Sequence, residues 1–518
     1  MNKKIYTNKS LVENLKEYST FSEILQFTSE RVHKKIFLIQ GDKKINFHEF
    51  NNLVNQCCNY FKYLKLRNGD VISVILPNSI EFLIIYFAAI RSRIIINPFP
   101  FHMSAQDVLT KLEIINPNKI FCSKKHVKEF SKSKYKILNI EDYENKNFIE
   151  YLSSFSKHNF VIIPVKNDQT AVLYYSSGTT GNPKIIEYSY RSMIETQLSM
   201  LRNNFTNEES VHLCVLPLGH TASLRYTIKQ AVCTGSTVVL HESFWKIRLN
   251  FWKEIYKYRV TFVEVVPTIL ITILNTKYED FNKLQNSSLE FIGCGSAYLP
   301  LSIQKKFEEK FGVGVANLYG LSETGATHFD NPRNSNRKIG SIGKPFDIFT
   351  VKIFDEKRKK VPAGKIGEIG IKGPGLLKGY LKNSKLFKNS FHEGFFLTGD
   401  LGIIDKNGFN FFIDRKKDLI IKGGVNIVPS EIDEIILTHP AIEEAATVAV
   451  PDPFFGENVK SYVTVKNNFT ADANEIKKFC TEKIGDFKSP SEIEIIDKLP
   501  KGPSGKILKR ELRERIFK

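Results

Sequence analysis

Short apolar runs alternate with helical patterns over the first two thirds of the chain. The run VISVIL leads into a helical pattern at residues 80–90 and then into RIIINPF, and STVVL, TFVEVV and LEFIGCG follow later with helical patterns between them. Strands that alternate with helices are typical of βαβ units and parallel sheets. The pattern therefore predicts an α/β fold for this part of the chain.

The pattern changes after about residue 340. The segments FTVKIFD, IGEIGIKG, GFFLTGDLGIID and GFNFFID are short alternating strands with glycine and asparagine turns, and they predict a mainly β subdomain. The last hundred or so residues return to a mixed pattern. We expect the charged stretch DRKKD, residues 414–418, to separate an N-terminal domain over residues 1–413 from a C-terminal domain over residues 414–518.

Composition places the chain among large globular proteins. It has 518 residues, 42% of them hydrophobic, which is enough for more than one core. The most hydrophobic segment, SIEFLIIYFAAIRSRIII, contains Glu81, Arg91 and Arg93, so it is predicted to be a buried helix followed by a strand and not a transmembrane segment. The N-terminal stretch MNKKIYTNKS predicts no signal peptide, because no apolar stretch follows its charges.

The formal net charge of +19 admits a nucleic acid, an anionic membrane or an anionic ligand as partner. The basic runs are short and scattered, and the sequence has no RNP-type motif, zinc finger or basic zipper. A compositional bias spread over the surface is therefore favoured, and no nucleic acid partner is expected. Seven dispersed cysteines without a CxxC pair indicate reduced thiols and predict a cytoplasmic location.

The stretch YYSSGTTGNPK, residues 174–184, is a candidate phosphate loop. It follows the predicted strand TAVLYY and precedes a predicted helix with apolar positions Met193, Ile194, Leu198 and Leu201, and the order strand, glycine loop, helix often binds phosphate. Glycines let backbone N–H groups turn inward, and hydroxyls and a lysine add donors. The loop is not a Walker A motif, which requires GxxxxGK[ST]. Taken alone, it could equally be an ordinary Ser/Gly turn.

Seven further motifs follow this loop along the chain in a fixed order. They are LPLGH, NLYGLSET, GSIGKP, GEIGIKGPGLLKGYL, LTGD, DRKKDLIIKGGVNIVPSEID and PKGPSGKILKREL. Together they resemble the adenylate-forming superfamily of acyl-CoA synthetases, stand-alone adenylation domains and beetle luciferases, over essentially the whole chain. The resemblance implies a large N-terminal domain of two α/β sheet subdomains plus a β subdomain, followed by a small mobile α+β C-terminal domain. It implies that ATP and a carboxylate give acyl-AMP and pyrophosphate, and that a thiol then accepts the acyl group.

The resemblance also assigns the phosphate and metal contacts. It implies that the loop holds the β- and γ-phosphates and that Glu323 and Thr179 bind Mg²⁺, an ion suited to hard oxygen ligands. The loop residues implied are Ser176, Ser177, Gly178, Thr179, Thr180, Gly181 and Lys184. Ser322 stands where the family has threonine, a change that keeps the hydroxyl.

For the nucleoside, the resemblance implies that Tyr319 stacks on adenine, Asp400 accepts the ribose hydroxyls and Arg415 lies near the ribose and phosphate. The remaining implied ATP-binding residues are Gly295, Ser296, Ala297, Asn317, Gly320, Ser322 and Ile413. A carboxylate such as Asp400 can accept both hydroxyls of a diol.

Lys506 resembles the lysine that bridges the substrate carboxylate and the α-phosphate, where one ammonium offsets the repulsion between two anions. In the family, the C-terminal domain rotates after adenylation, and Lys417 occupies the hinge position. Gly423 and Gly424 are implied to let the backbone pass close to the pantetheine arm of CoA or of a carrier protein.

His220 resembles the residue that gates the carboxylate pocket. The pocket is expected to be lined by small or apolar residues, which predicts an apolar acid, fatty or aryl: Ser223, Val265, Val266, Cys294, Gly295, Gly320 and Leu321. The stretch GHTASLRYT contains no acid to pair with an α-ammonium, which argues against an amino acid substrate, because an unpaired buried ammonium is costly.

The leading hypothesis is therefore an AMP-forming acyl-CoA synthetase active in fatty acid metabolism. An enzyme that loads a phosphopantetheinyl carrier protein shares the same motifs and remains open. A luciferase-type monooxygenase is remote, because it needs a specialised pocket. A basic nucleic-acid-binding protein or a non-catalytic nucleotide sensor would not be expected to keep Lys506, Glu323 and Asp400 together.

Overall fold

The computed structural model describes residues 7–142, 146–158, 160, 165, 168–176, 184–278, 288–502 and 505–515. The strands in these residues are β1 (Ile36–Gln40), β2 (Lys43–Asn46), β3 (Val71–Ile75), β4 (Ile95–Pro98), β5 (Lys119–Cys122), β6 (Ile137–Asn139), β7 (Thr170–Ser176), β8 (Lys184–Ser189), β9 (Val211–Cys214), β10 (Thr237–Leu240), β11 (Phe262–Val265), β12 (Phe291–Gly295), β13 (Gly314–Leu321), β14 (Gly325–Phe329), β15 (Lys344–Pro345), β16 (Thr350–Phe354), β17 (Gly367–Lys372), β18 (Gly379–Tyr380), β19 (Phe391–His392), β20 (Phe395–Ile404), β21 (Asn410–Arg415), β22 (Ile420–Lys422), β23 (Val425–Ile427), β24 (Ile442–Asp452), β25 (Gly456–Val465) and β26 (Glu492–Ile495).

The helices in the same residues are α1 (Asn8–Leu15), α2 (Phe21–Arg31), α3 (Phe47–Tyr63), α4 (Ile80–Ser92), α5 (Ala105–Ile115), α6 (Lys124–Phe130), α7 (Phe148–Leu152), α8 (Tyr190–Arg202), α9 (Gln230–Thr234), α10 (Phe244–Ile247), α11 (Phe251–Tyr258), α12 (Pro267–Asn275), α13 (Leu301–Phe311), α14 (Ser384–Asn389), α15 (Pro429–Ile436), α16 (Ala473–Lys488) and α17 (Lys509–Glu514). A π-helical turn at Ser223–Lys229 precedes α9, and 3-10 turns span Arg248–Asn250 and Lys416–Asp418.

Four sheets organise these elements. The first sheet has the order β18-β8-β7-β4-β3-β5-β6, and the second has the order β15-β14-β13-β12-β11-β9-β10-β1-β2. In both, the inner strands pair in parallel and antiparallel strands lie at the edges. These are the two α/β subdomains expected from the sequence.

The third sheet is antiparallel, with the order β16-β17-β20-β19 and with β21 on β20, and it forms the expected β subdomain. The fourth sheet, β23-β22-β25-β24 with β26 on β25, packs with α15 and α16 as a smaller α+β unit. The predicted fold class is therefore confirmed. Between β21 and β22 the chain passes from the third sheet to the fourth across residues 416–419, but the domain boundary at 414 stays a prediction.

The apolar segment predicted to be a buried helix is α4, and it is buried along nearly its whole length. Its charged residue Arg91 is satisfied internally, because the guanidinium donates to Ser22 Oγ at 2.6 Å, to Asn55 Oδ1 at 2.6 Å and to Asn51 Oδ1 at 2.7 Å. No helix in the described part of the chain has the length and apolar character needed to cross a membrane. All seven cysteines are buried and free, as the dispersed pattern indicated.

The helix predicted after the glycine loop is α8, on which Met193, Ile194, Leu198 and Leu201 are buried, but a strand precedes it, so the predicted strand–loop–helix order is wrong. Residues 184–189 form β8, which pairs antiparallel with β7, so that Ser176 lies opposite Lys184. The stretch KIIEYS contains β-branched and aromatic residues suited to a strand, and Ser189 then caps α8 by accepting from the Ser192 backbone N–H. β7 and β8 therefore form an antiparallel pair, and α8 begins only after β8.

Candidate active site

Lys506 reaches the N-terminal domain from a turn near the end of the chain. The backbone of this turn is fixed by a hydrogen bond from Gly502 N–H to the Lys506 carbonyl at 2.8 Å. Thr268 Oγ1, at the start of α12, donates to the Gly505 carbonyl at 3.1 Å and joins the turn to the N-terminal domain. Burial, followed by the charge of Arg415, lowers the pKa of Lys506 to about 8.

Asp400 is the carboxylate around which the predicted nucleoside residues meet. It lies in β20, is only 1% exposed, and accepts a hydrogen bond from the Tyr319 hydroxyl at 2.7 Å. Arg415 Nε lies 2.7 Å from its other oxygen, because β20 and β21 pair these two residues directly. Burial raises the pKa of Asp400, and Arg415, Tyr319 and Lys506 act against that rise.

Glu323 lies in the turn between β13 and β14. Its Oε1 accepts from the Tyr380 hydroxyl at 3.4 Å, and its pKa is raised by burial and opposed by the charges of Lys184 and Arg415. The ammonium of Lys184 lies 5.9 Å from the centre of the Tyr380 ring. Glu323 and Lys184 therefore meet at Tyr380, which sequence reasoning missed although it belongs to the motif GEIGIKGPGLLKGYL.

The residues around Glu323 suit a Mg²⁺ ion that would be held by one carboxylate and mainly by the phosphates of ATP. In the described part of the chain no group of three or more His, Cys, Asp or Glu side chains could hold a metal by itself. One carboxylate beside the expected phosphate loop matches the preference of Mg²⁺ for one or two protein oxygens, phosphate oxygens and water. The second predicted metal ligand, Thr179, lies outside the described residues.

Several other predicted ATP-binding residues line the ends of β12 and β13. Asn317 and Tyr319 lie on β13, Gly295 ends β12 opposite Leu318, and Ser296 has a φ of 66°. A Cβ at Gly320 would lie 2.0 Å from the Gly325 carbonyl oxygen, so the turn that carries Ser322 and Glu323 requires glycine there. Ala297 follows Ser296 in the same loop.

Other predicted residues lie further away or outside the structure. The Ile413 carbonyl accepts from Ser430 Oγ at 2.7 Å, so its backbone holds the start of α15. The backbone of Ser176 ends β7. The remaining predicted loop residues lie outside the described part of the chain: Ser177, Gly178, Thr179, Thr180 and Gly181.

His220 lies between two cations. Its backbone N–H donates to the Pro217 carbonyl at 3.0 Å, and its Nδ1 accepts from the Ala222 N–H at 3.4 Å. Burial, followed by the charges of Arg225 and Lys506, lowers its pKa to about 4, so the imidazole is neutral at pH 7. A neutral ring at this position agrees with the predicted carboxylate gate.

The predicted acyl-pocket residues are buried, but they are not the only groups there. Val265, Val266, Cys294 and Ser223 are fully or almost fully buried. Sequence reasoning missed Glu264, beside Val265, which is 3% exposed and whose pKa burial raises to about 8. It also missed Arg225, which lies within GHTASLRYT and was passed over because that stretch was searched only for an acid.

The predicted hinge residue lies beside this cluster, and the predicted thiol residues lie in a separate exposed turn. Lys417 is in the 3-10 turn after Arg415, where burial lowers its pKa. Gly423 and Gly424 are exposed in the β22–β23 turn with φ of 56° and 81°, and Gly423 N–H donates to the Phe455 carbonyl at 2.9 Å. The structure thus brings Lys506, but not the glycine turn, to Asp400 and Arg415.

Further contacts hold the C-terminal unit in this arrangement. Glu434 of α15 accepts from the backbone N–H groups of Leu301 at 3.0 Å and Ser302 at 2.6 Å, the first residues of α13. Lys416 Nζ lies 3.0 Å from Glu368 on β17. The cluster around Asp400 is therefore assembled from both domains.

Comparison with known proteins agrees with the fold. Residues 25–381 match the family model of the AMP-binding enzyme, and residues 431–506 match that of the AMP-binding enzyme C-terminal domain. The chain therefore belongs to the AMP-binding enzyme family, as its motifs implied.

Two curated relatives and one solved structure illustrate the similarity. A sulfoacetate–CoA ligase of Cupriavidus necator is 36% identical over 67% of this chain and 68% of its own length. A 2-succinylbenzoate–CoA ligase of Bacillus licheniformis is 30% identical over 94% of this chain and 98% of its own. The o-succinylbenzoate-CoA synthetase of Bacillus subtilis, solved with its acyl-adenylate, has a TM-score of 0.83 and 27% identity, covering 95% of this chain and 97% of its own. The prediction of an AMP-forming acid–CoA ligase is confirmed at the level of the enzyme class.

Proposed function

We propose that this enzyme joins a carboxylic acid to AMP, releases pyrophosphate from ATP, and transfers the acyl group to CoA. The observation that carries the proposal is the convergence of Lys506 with Asp400, Arg415 and His220 at the contact between the two domains. A surface lysine would not be buried beside a carboxylate, a guanidinium and a neutral histidine. The roles of these residues follow from the chemistry of each step.

A carboxylate and a triphosphate repel each other, and the acid has no good leaving group until it is adenylated. The Lys506 ammonium would contact both the substrate carboxylate and the α-phosphate, which offsets their repulsion and stabilises the transition state. Its lowered pKa agrees with a desolvated position, and bound anions would restore its charge. Lys506 transfers no proton in this scheme.

Two further groups prepare the same step. Glu323 would hold Mg²⁺, which when bound screens the phosphate charges and stabilises the leaving pyrophosphate. His220 stays neutral between Arg225 and Lys506, so it closes the acid pocket without adding a third positive charge. Asp400 and Arg415 would hold the ribose and phosphate of the nucleotide through the reaction.

We favour CoA over a carrier protein as the thiol acceptor, because the sulfoacetate and 2-succinylbenzoate relatives are both CoA ligases. The apolar acid predicted from the sequence is less well supported. Relatives act on acids as different as sulfoacetate, 2-succinylbenzoate and long-chain fatty acids, and Arg225 and Glu264 are buried near the pocket. An apolar acid, a role in fatty acid metabolism and a cytoplasmic location therefore stay predictions.

The test is acid-dependent ATP–pyrophosphate exchange over a panel of fatty, aryl and dianionic acids, followed by CoA thioester formation with each active acid. We expect at least one acid to support both reactions, and Lys506→Ala to lower the exchange rate by at least about 100-fold. Lys498→Ala is the matched control, because this lysine is exposed and lies eight residues earlier. Exchange that survives in Lys506→Ala, or no exchange with any acid in folded protein, would refute the proposal.

A further inference from the structure

The π-helical turn Ser223–Lys229 buries two basic side chains that form no ion pair in the described structure. All seven residues of this turn are buried, with Arg225 8% and Lys229 4% exposed. Among the described residues, neither side chain forms a hydrogen bond or an ion pair, and Lys229 Nζ lies 5.5 Å from the centre of the Phe21 ring. A buried charge without a counter-ion is costly, and π-helical turns are rare and often lie at functional sites.

A small cavity lies against these two cations. Its walls include Arg225, Lys229, Gln197, Tyr188 and Met193, and none of its lining residues is a carboxylate. Both amide atoms of the Gln197 side chain are buried without a hydrogen-bond partner in the described structure. The cavity therefore combines two positive charges with an unsatisfied amide, a set of groups that an anion would complete.

The cavity lies beside the candidate active site. A Cβ at Gly325, two residues after Glu323, would lie 3.4 Å from Thr196 Oγ1 and 3.7 Å from the Tyr188 hydroxyl, both of which line the cavity. Arg225 follows His220 by five residues, and the charges of Arg225 and Lys506 both act on His220. An acid whose reacting carboxylate meets Lys506 would extend past His220 toward Arg225.

The acidic group that faces Arg225 from the neighbouring β11 is Glu264. Burial raises the pKa of Glu264 to about 8, so the carboxyl is mostly protonated at pH 7 and leaves the guanidinium charge uncompensated. Lys229 is the remaining basic group in the cavity wall. Burial, followed by the charge of Arg225, lowers its pKa to about 7, and an anion bound in the cavity would favour its protonated form. The Tyr174, Tyr188 and Tyr226 hydroxyls nearby are neutral because burial raises their pKa values.

We propose that the acid carries a second anionic group, a carboxylate or a sulfonate, which Arg225 and Lys229 bind while Lys506 holds the reacting carboxylate. This assignment rests on the proposed ligase function and replaces the apolar acid predicted from the sequence. The guanidinium fork matches the planar carboxylate in a bidentate contact, and Lys229 adds a point charge. The second anion supplies the counter-ion that the folded chain does not.

The wild-type enzyme gives the first test, because it requires no variant. ATP–pyrophosphate exchange is measured with two sets of matched acids. In the first set, dianionic succinate is compared with singly charged monomethyl succinate and butyrate. In the second set, dianionic sulfoacetate is compared with singly charged propionate. We expect kcat/KM for each dianionic acid to exceed that of its singly charged match by at least about 30-fold, the scale of a lost buried charge contact. Comparison of succinate with sulfoacetate tells carboxylate from sulfonate. Equal or better use of the singly charged acids overturns the proposal.

Arg225→Met and Arg225→Lys give the second test. We expect Arg225→Met to lower kcat/KM for the preferred dianionic acid by about 100-fold. We expect kcat/KM for butyrate to stay within about threefold of the wild-type value. Arg225→Lys should recover part of the loss with the dianionic acid, because it keeps a positive charge. Arg202→Gln, at the end of α8 and ion-paired with Asp347, is the control and should change neither. If Arg225 only stabilised the fold, Arg225→Met would lower kcat/KM equally for the dianionic acid and for butyrate. That result would contradict the proposal.

The outcomes separate the two proposals. Exchange with butyrate, benzoate or a fatty acid but with no dianionic acid leaves the ligase function standing and refutes the anion site. No exchange with any acid in folded protein refutes both. Thermal melting of each variant shows whether it folds, and where Arg225→Met does not fold, Arg225→Lys and the wild-type comparison decide.

Discussion

Asp400 is the buried carboxylate on which the nucleoside end of the site depends. Its two oxygens are held by Tyr319 and Arg415, so the Asp400→Asn change keeps the shape and removes only the charge. We expect KM for ATP to rise by about 10- to 100-fold, because the amide cannot accept two ribose hydroxyls and leaves Arg415 without its partner. Steady-state kinetics at saturating acid measures this. Asp405→Asn, in an exposed turn beside Lys338, is the control, and an unchanged KM in Asp400→Asn would contradict the assigned role.

Lys506 predicts how adenylation depends on pH. Its pKa lies at about 8, below the usual lysine value, and the protonated form is the one that bridges two anions. The active form is therefore lost as pH rises through 8, and kcat/KM for pyrophosphate exchange should fall above that pH, since kcat/KM reports the free enzyme. In Lys506→Arg the fall should disappear up to about pH 9.5, at a lower absolute rate, because arginine stays charged. A profile that still falls near pH 8 in the arginine variant would assign the titration to another group.

Single residues also mark the limit of what the sequence could predict. Lys506, Glu323 and Asp400 were found because each lies in a motif whose spacing is local. Arg225 was not found, because SLRYTIK, with a cation at each end of one helical turn, has the pattern of an exposed helix face. Only the packing of this turn against β9 and β11 buries it, and residue spacing within the turn does not show that packing.

At the scale of elements, α15 of the C-terminal unit caps α13 of the N-terminal domain. The Glu434 carboxylate accepts from two N–H groups that begin α13, where the helix dipole favours a negative charge. Glu434→Gln should weaken the arrangement that brings Lys506 to the site. We expect adenylation to slow by about 3- to 30-fold, and thioester formation from supplied acyl-AMP to stay within about twofold.

Single-turnover measurement of the two half-reactions tests this. The control is Glu431→Gln on the same helix, because Glu431 pairs with Lys488 inside the C-terminal unit, 3.0 Å away. Equal slowing of both half-reactions by Glu434→Gln would show that Glu434 stabilises the fold and has no separate effect on the arrangement of the domains.

The order of the elements was largely predictable, and the one clear error is instructive. Apolar runs such as VISVIL and TFVEVV became β3 and β11 of parallel sheets, since strands buried on both faces carry continuous apolar runs. The apolar positions Met193, Ile194, Leu198 and Leu201 correctly predicted α8, but the strand at 184–189 was missed, because a glycine loop after a strand suggested that a helix comes next. The β-branched and aromatic residues of this strand were the available signal, and its pairing with β7 depends on a hairpin that residue spacing alone does not fix.

For the whole molecule, the site exists only where two domains meet. Lys506, Arg415 and Asp400 come together in this arrangement, while Gly423 and Gly424 lie exposed on the other unit. We propose that this arrangement serves the first half-reaction and that the C-terminal unit moves for the second. The 3-10 turn Lys416–Asp418 joins the third and fourth sheets and is the segment where such a rotation would occur.

Lys417→Pro tests that rotation. A 3-10 turn already has φ near the value that proline fixes, so the variant should keep the present arrangement and resist leaving it. In Lys417→Pro we expect the rate of acyl-AMP formation to stay within about threefold and the rate of thioester formation from supplied acyl-AMP to fall by at least about 30-fold. In the control, Lys417→Ala, both rates should stay close to those of the wild type. Lys506→Ala should give the opposite pattern, which separates the two steps within one chain. If Lys417→Pro lowers both half-reactions equally the turn is structural, and if it lowers neither the hinge lies elsewhere.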